Sequence, residues 1–207
     1  MNQANVISKG ITKGTKLRLL GAALLLSFGL STTAQAEEYL IDTAKRHAFI
    51  QFKIQHLGYS WLLGEFPDFK GSFTYDAAHP ESNEVNVNIN VASIDTHHAE
   101  RNKHLRSSDF FDVEKFPTAT FTSTSYEDTG NDTGIVHGVL KLRGVSKKVD
   151  IQVKQVGTGP DPWGGYRRGF EGHTTLHLSD YNMKKGGVLG AAAENVELFL
   201  SIEGIRQ

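Results

Sequence analysis

From Glu84 to Val91 the chain alternates without a break: Val85, Val87, Ile89 and Val91 on one face, Glu84, Asn86, Asn88 and Asn90 on the other. A helix would scatter those residues around its circumference, whereas a strand segregates them. Residues 48–54 repeat the pattern, with Ala48, Ile50, Phe52 and Ile54 sharing a face, and it returns in 69–75 and 118–123. Residues 135–143, 149–156, 169–178 and 196–202 bring the expectation to eight strands. Turn-forming residues separate them at His79-Pro80, Thr129–Asp132, Gly144–Lys147 and Asp161–Gly165. A helical period intervenes only at 97–108. The pattern therefore predicts an antiparallel meander and excludes a sheet built from βαβ units.

A sheet with one apolar face must bury it, either against a second sheet or by closing into a barrel. Periodicity does not choose between these. Small residues on the apolar faces (Ala48, Gly71, Ala119, Gly138, Gly172 and Gly204) would leave room inside a barrel, or would serve strand curvature and close approach.

The segment 93–121 breaks the alternation. It predicts a short polar helix, capped by Asp95 or Thr96, with Glu100 in its first turn. Only Ala99 and Leu105 are apolar there, so the helix is expected on the surface with Phe110, Phe111 and Phe116 as anchors. Pro117 then returns the chain to extended backbone. The whole reads as a lid at one end of the sheet.

Residues 1–36 read as a cleaved secretory signal peptide: Lys9, Lys13, Lys16 and Arg18 precede an apolar run from Leu19 to Leu30, then Ala34-Gln35-Ala36. Residues 37–207 have the size of a single domain. The leader holds four of the 22 basic residues and none of the 23 acidic ones, leaving 18 against 23. An acidic balance argues against a nucleic-acid partner. The chain has no cysteine, so neither disulfides nor thiol catalysis enter.

Candidate catalytic chemistry is thin. His97, His98 and His104 lie near Glu100, but no two are four residues apart, so the helix does not converge them on a metal. Gly58-Tyr-Ser60-Trp-Leu62 lacks the closing glycine of a nucleophile elbow. Asp109, Asp112 and Glu114 fit turn and cap positions. What stands out is aromatic residues near strand ends, readable as core plugs or as the lining for an elongated apolar ligand.

Four stretches, His47–Trp61, Ser93–Phe121, Gly144–Lys147 and Asp161–Gly165 followed by Gly169-Phe170, resemble the YceI-like family of periplasmic, lipocalin-like isoprenoid-binding proteins. The resemblance implies an all-β, eight-stranded antiparallel lipocalin-like barrel with one short capping helix. Its lumen would hold a polyisoprenoid lipid or a polyprenyl quinone in the periplasm, with no other cofactor, no metal and no catalytic residues. Strand facing and motif position then nominate Ile50, Phe52, Ile54, Trp61, Phe66, Phe69, Phe73, Val87, Ile89, Phe110, Phe111, Phe121, Leu140, Phe170, Leu176, Leu198 and Leu200 as lumen residues. His56, Tyr59, Arg101, His104 and Asp109 are nominated for the mouth, where a headgroup would sit. A homodimer and a transient contact with a membrane surface are further partners to test, the latter through protonation of the lid histidines in acid. Two alternatives are an enzyme acting on an isoprenoid or envelope substrate through the lid residues, and a packed module with no cavity.

Overall fold

The computed structural model describes residues 36–183 and 191–207. The expected leader therefore falls almost wholly outside the described residues. Among the described residues there are ten strands: β1 (Glu37–Ile41), β2 (Phe49–His56), β3 (Ser60–Glu65), β4 (Phe69–Tyr75), β5 (Val85–Asn90), β6 (Thr118–Gly130), β7 (Thr133–Leu142), β8 (Val145–Pro160), β9 (Tyr166–His177) and β10 (Asn195–Arg206). One α-helix, α1 (Ala99–Arg106), lies between β5 and β6.

The ten strands make eight staves. β10 pairs with β9 along one edge; its other edge meets β1 near its C-terminus (Ile41↔Gly204) and β2 nearer its N-terminus (Ile54↔Val196). β1 and β2 are thus two halves of one stave, broken at residues 42–48. β4 pairs with β1 and β3 with β2, so these two share the next stave, and the bridge Glu65↔Asp95 carries the ladder on past β3. The remaining neighbours follow chain order from β4 to β10, all antiparallel, and the β1–β10 pairing closes the cylinder. Closure removes the exposed edges that a flat sheet of this length would carry.

Most glycines on the inner faces do not add free volume. They accept aromatic rings laid flat on the wall: a Cβ on Gly138 would sit 2.3 Å from the Phe121 ring, and one on Gly204 2.5 Å from that of Phe73. Such ring-over-glycine pairs let large side chains lie along the strand instead of projecting into the lumen. The room inside the barrel comes from staves held apart by closure, and the glycines keep it open.

The helix differs from expectation in its cap and its anchoring. His98, not Asp95 or Thr96, is the N-cap, with its Nδ1 accepting the Arg101 N–H at 3.2 Å. Asp95 and Thr96 are engaged otherwise: Asn102, buried beneath the helix, accepts from the Thr96 N–H and hydroxyl and donates to Asp95 Oδ1. Arg106 reaches back to the carbonyls of Ala92 (2.6 Å) and Ile94 (3.0 Å). The lid is pinned by polar side chains threaded into the loop before it, in addition to its phenylalanines. Phe116 packs over Gly144 in the β7–β8 turn.

Candidate functional site: an apolar lumen with two unlike ends

Inward positions of every stave, Leu62 of β3 included, converge on two adjoining cavities of one lumen. Its half farther from α1 is a cavity of about 170 Å³, walled by residues such as Ile41, Phe73, Tyr75, Val85, Tyr126, Val136 and Phe170. Its half beneath α1, about 140 Å³, is walled by Phe52, Ile54, Phe66, Leu105, Phe110, Phe111, Tyr181 and Met183 among others. Ile50, Ile89, Leu140, Leu176 and Leu198 border both halves, so they form a shared waist. Taken together the halves reach the low end of the volumes usual for small-molecule sites, about 300–1,000 Å³. The interior is not packed solid, which excludes a module without a cavity.

Of the expected lumen residues, Ile50, Phe52, Ile54, Phe66, Phe73, Val87, Ile89, Phe110, Phe111, Phe121, Leu140, Phe170, Leu176, Leu198 and Leu200 lie on this wall. Trp61 does not. Register pairs Leu62 with the inward Ile54, so alternation points Trp61 outward, where Lys53 covers its ring at 4.5 Å. Phe69 is buried, but it packs with Tyr39, Ile41, Ala48, Ile50 and Phe73 rather than bordering the open volume. Unnominated wall residues include Val149, Ile151 and Val153 of β8. Their alternation was plain in the sequence, and following it inward would have found them.

Among the expected mouth residues, Arg101 borders the helix-end cavity, but its guanidinium is held by Thr96: Nε donates to the hydroxyl (2.8 Å) and Nη2 to the carbonyl (2.6 Å). His104 and Asp109 lie together at the rim, 3.7 Å apart, the imidazole edge-on to Phe110. His56 and Tyr59 lie outside the wall on the β2–β3 hairpin, because the turn carries them past the lumen, and Tyr59 is 86% exposed.

The opposite end is polar and crowded. Arg168, buried at the inward position two before Phe170, stacks on Tyr75 at 3.4 Å and donates to Gln155, with Tyr39 and Glu37 close by. On the outer side of the same strand, Arg167 binds Asp42 and Asp161 (2.8 Å each) and Glu203. Asp42, His47 and Glu203 form the one group of potential metal ligands close enough to share an ion among the described residues. The Arg167 guanidinium already sits against both carboxylates, so that cluster is an ion-pair lock. The lid histidines are not part of it.

Charge is excluded from the wall as well. Burial raises the Tyr126 phenol and pushes that of Tyr181 up to about 12, so both remain neutral hydroxyls. Around Arg167 the opposite holds. Burial pushes the Asp42 carboxyl up, but hydrogen bonds from Arg167, the Lys45 N–H and His47 outweigh it and leave the group below its ordinary value. Asp161 is likewise lowered, chiefly by Arg167, and Glu37 chiefly by the Tyr39 hydroxyl. Arg167 itself is raised by Asp42 and Asp161.

The arrangement offers a mainly hydrocarbon-lined space whose charged groups lie at its rim and base, with Thr174 as a polar position in mid-wall. The YceI-like domain matches this chain over residues 39–204. A UPF0312 protein of Ectopseudomonas mendocina is 56% identical over 188 residues, spanning 91% of this chain and 97% of its own. BcnA of Burkholderia cenocepacia superimposes with a TM-score of 0.70 at 22% identity, covering 79% of this chain and 98% of that one. A polyisoprenoid-binding domain from Saccharophagus degradans does so with a TM-score of 0.60 at 18% identity, covering 82% and 98%.

Proposed function

The chain belongs to the YceI-like family, and we propose that it is a periplasmic carrier holding the tail of a polyisoprenoid lipid or polyprenyl quinone in its lumen. The observation that carries this reading is the lumen itself: two adjoining cavities that share five wall residues, walled mainly by aliphatic and aromatic side chains, with Arg101 at the rim the one charged residue, among those described, that borders them. An isoprenoid tail has no hydrogen-bonding group to satisfy, and each buried CH₂ contributes about 0.8 kcal/mol. Ordering the tail offsets part of that gain. Affinity should rise with tail length until the tunnel is filled and then level off. A headgroup would rest at the helix end, beside His104, Asp109 and the outer face of Arg101. The family likeness and the polyisoprenoid-binding character of the Saccharophagus domain support the lipid class; the export-like leader supports the compartment.

The Thr96 bonds of Arg101 favour binding over chemistry at the lid, and we assign no catalytic step. Native mass spectrometry of protein recovered from its own periplasm tests the proposal. A co-purifying mass matching a polyprenyl lipid is expected, with uptake of an added polyprenyl quinone by protein stripped of it. Guest-free protein that takes up none would overturn it.

A further inference from the structure

Seven large hydrophobic side chains are exposed among the described residues, and four of them fall within seven consecutive positions: Leu57 (44%), Tyr59 (86%), Trp61 (46%) and Leu63 (61%). All belong to the β2–β3 hairpin or its turn. Such clustering is not scatter, since isolated exposed apolar residues are ordinary and contiguous ones are not.

The turn makes the point more sharply. Leu57 and Gly58 both have positive φ (54° and 79°), and the Tyr59 N–H closes the turn on the His56 carbonyl at 2.9 Å. His56 pairs with Ser60, so the loop is residues 57–59, and two consecutive left-handed positions inside a turn favour asparagine or aspartate followed by glycine. Here the first position is leucine, an apolar side chain in a backbone region that L-residues resist, aimed at solvent from the tip. Folding gains nothing from that choice. A surface that receives the leucine would.

The same strand joins this patch to the lumen. Leu62, between Trp61 and Leu63, lines the cavity under α1, while its two neighbours face out. The hairpin is therefore a wall of the mouth on one face and an apolar, aromatic surface on the other. Tryptophan and tyrosine prefer the boundary between hydrocarbon and headgroups. Lys53, over the Trp61 ring and paired to Glu197 at 2.9 Å, would lie at headgroup level.

We propose that the β2–β3 hairpin inserts Leu57, Tyr59, Trp61 and Leu63 into the interfacial layer of a phospholipid membrane, seating the lumen mouth where an apolar guest can cross without meeting water. This rests on the carrier reading for its purpose, though not for its test. The contact is apolar, so it should form on zwitterionic as well as anionic bilayers and resist salt. That distinguishes it from attraction of a protonated histidine lid.

The chain has two tryptophans, so Trp163→Phe leaves Trp61 as the sole indole reporter in the otherwise intact protein. Adding guest-free phosphatidylcholine vesicles, or vesicles of phosphatidylethanolamine and phosphatidylglycerol, should shift its emission to the blue and shield it from an aqueous quencher. In flotation, the outward-facing pair Trp61→Ser/Leu63→Ser should weaken partitioning by about tenfold or more, while its thermal unfolding stays cooperative. The same variant should load guest from detergent normally and from vesicles slowly. An unchanged Trp61 spectrum with both vesicle types overturns the proposal. So does a blue shift that grows with protein concentration in the absence of lipid, which would place a second copy on the hairpin. Insertion of Trp61 by a protein that never holds a guest would leave this surface standing and remove the carrier reading. A guest-loaded protein whose Trp61 stays in water would do the reverse.

Discussion

The lumen's two ends are closed by different physics. Away from the helix, Arg168 is buried against Tyr75 and Gln155, and Arg167 ties three carboxylates from separate segments. Under the helix the wall is Phe110, Phe111, Tyr181 and Met183, beneath eight helical residues pinned to the loop by Asn102, Arg101 and Arg106. Opening the first end would strand buried charges, which is costly even when water enters. Opening the second breaks a few hydrogen bonds, each contributing about 1 kcal/mol net, and exposes apolar surface that, on the proposed carrier reading, a tail would cover again. One end is a lock and the other a door.

If so, the largest effect of a single substitution should appear at the lock. Arg167→Met leaves Asp42 and Asp161 facing Glu203 without their shared cation, and should cost about 3–5 kcal/mol of global stability in urea unfolding. The matching change at the door, Arg106→Met, removes bonds to two carbonyls and should cost about 1.5–3 kcal/mol. Its signature should be local: faster amide exchange across 95–113 with the β7–β9 amides little changed. Equal, uniform losses from both variants would break the distinction.

Acid should probe the same asymmetry with a smaller effect. Asp42, Asp161 and Glu37 all titrate below their ordinary values because of partners at the lock. A carboxyl with a depressed folded value stabilises the fold above its unfolded value, and that stability is lost as pH falls through the folded one. Unfolding free energy should therefore rise slightly as pH falls through neutrality, because Asp150 raises His137, and decline below about pH 4. Asp95, lowered by Asn102 and the His97 N–H, adds a counterpart at the door. In Asp42→Asn the curve should start lower and fall less steeply. A wild-type decline that set in near pH 6 would point to histidines and away from this network.

How much of this was legible beforehand follows the period of the pattern. β5 and the inward faces of β2, β6 and β10 alternate cleanly, so the barrel and most of its wall could be read directly. β3 could not: in Trp61-Leu62-Leu63 three apolar residues run together, because one faces the lumen and two face out. That run hid a strand and put Trp61 on the wrong side. β1 was missed because five residues carry too short a pattern. The lock was invisible because, although Asp161 and Arg167 are neighbours on the β8–β9 hairpin, Asp42 joins them only by closure of the sheet, 125 positions from Arg167. The lid's position was legible, but its pins were not, since Asn102 and Arg106 look like solvated residues until the loop before them is folded beneath.

The smallest effect is the most discriminating, because it should improve the fold and impair its use. His98 caps α1 with an imidazole nitrogen at 3.2 Å from the Arg101 N–H, although asparagine, aspartate and serine are the residues that cap best. His98→Asn keeps an acceptor at that position on a shorter side chain. It should stabilise the helix by about 0.5 kcal/mol, leaving roughly twofold fewer open lids at equilibrium. Global unfolding would barely register the change. Loading of a polyprenyl quinone from vesicles, followed by stopped-flow fluorescence, should slow by about the same factor, while the loaded complex releases its guest more slowly too and its affinity stays nearly constant. Were loading to slow equally when Arg167 is replaced and His98 left alone, the guest would be using the other end, and the roles of lock and door would have to be exchanged.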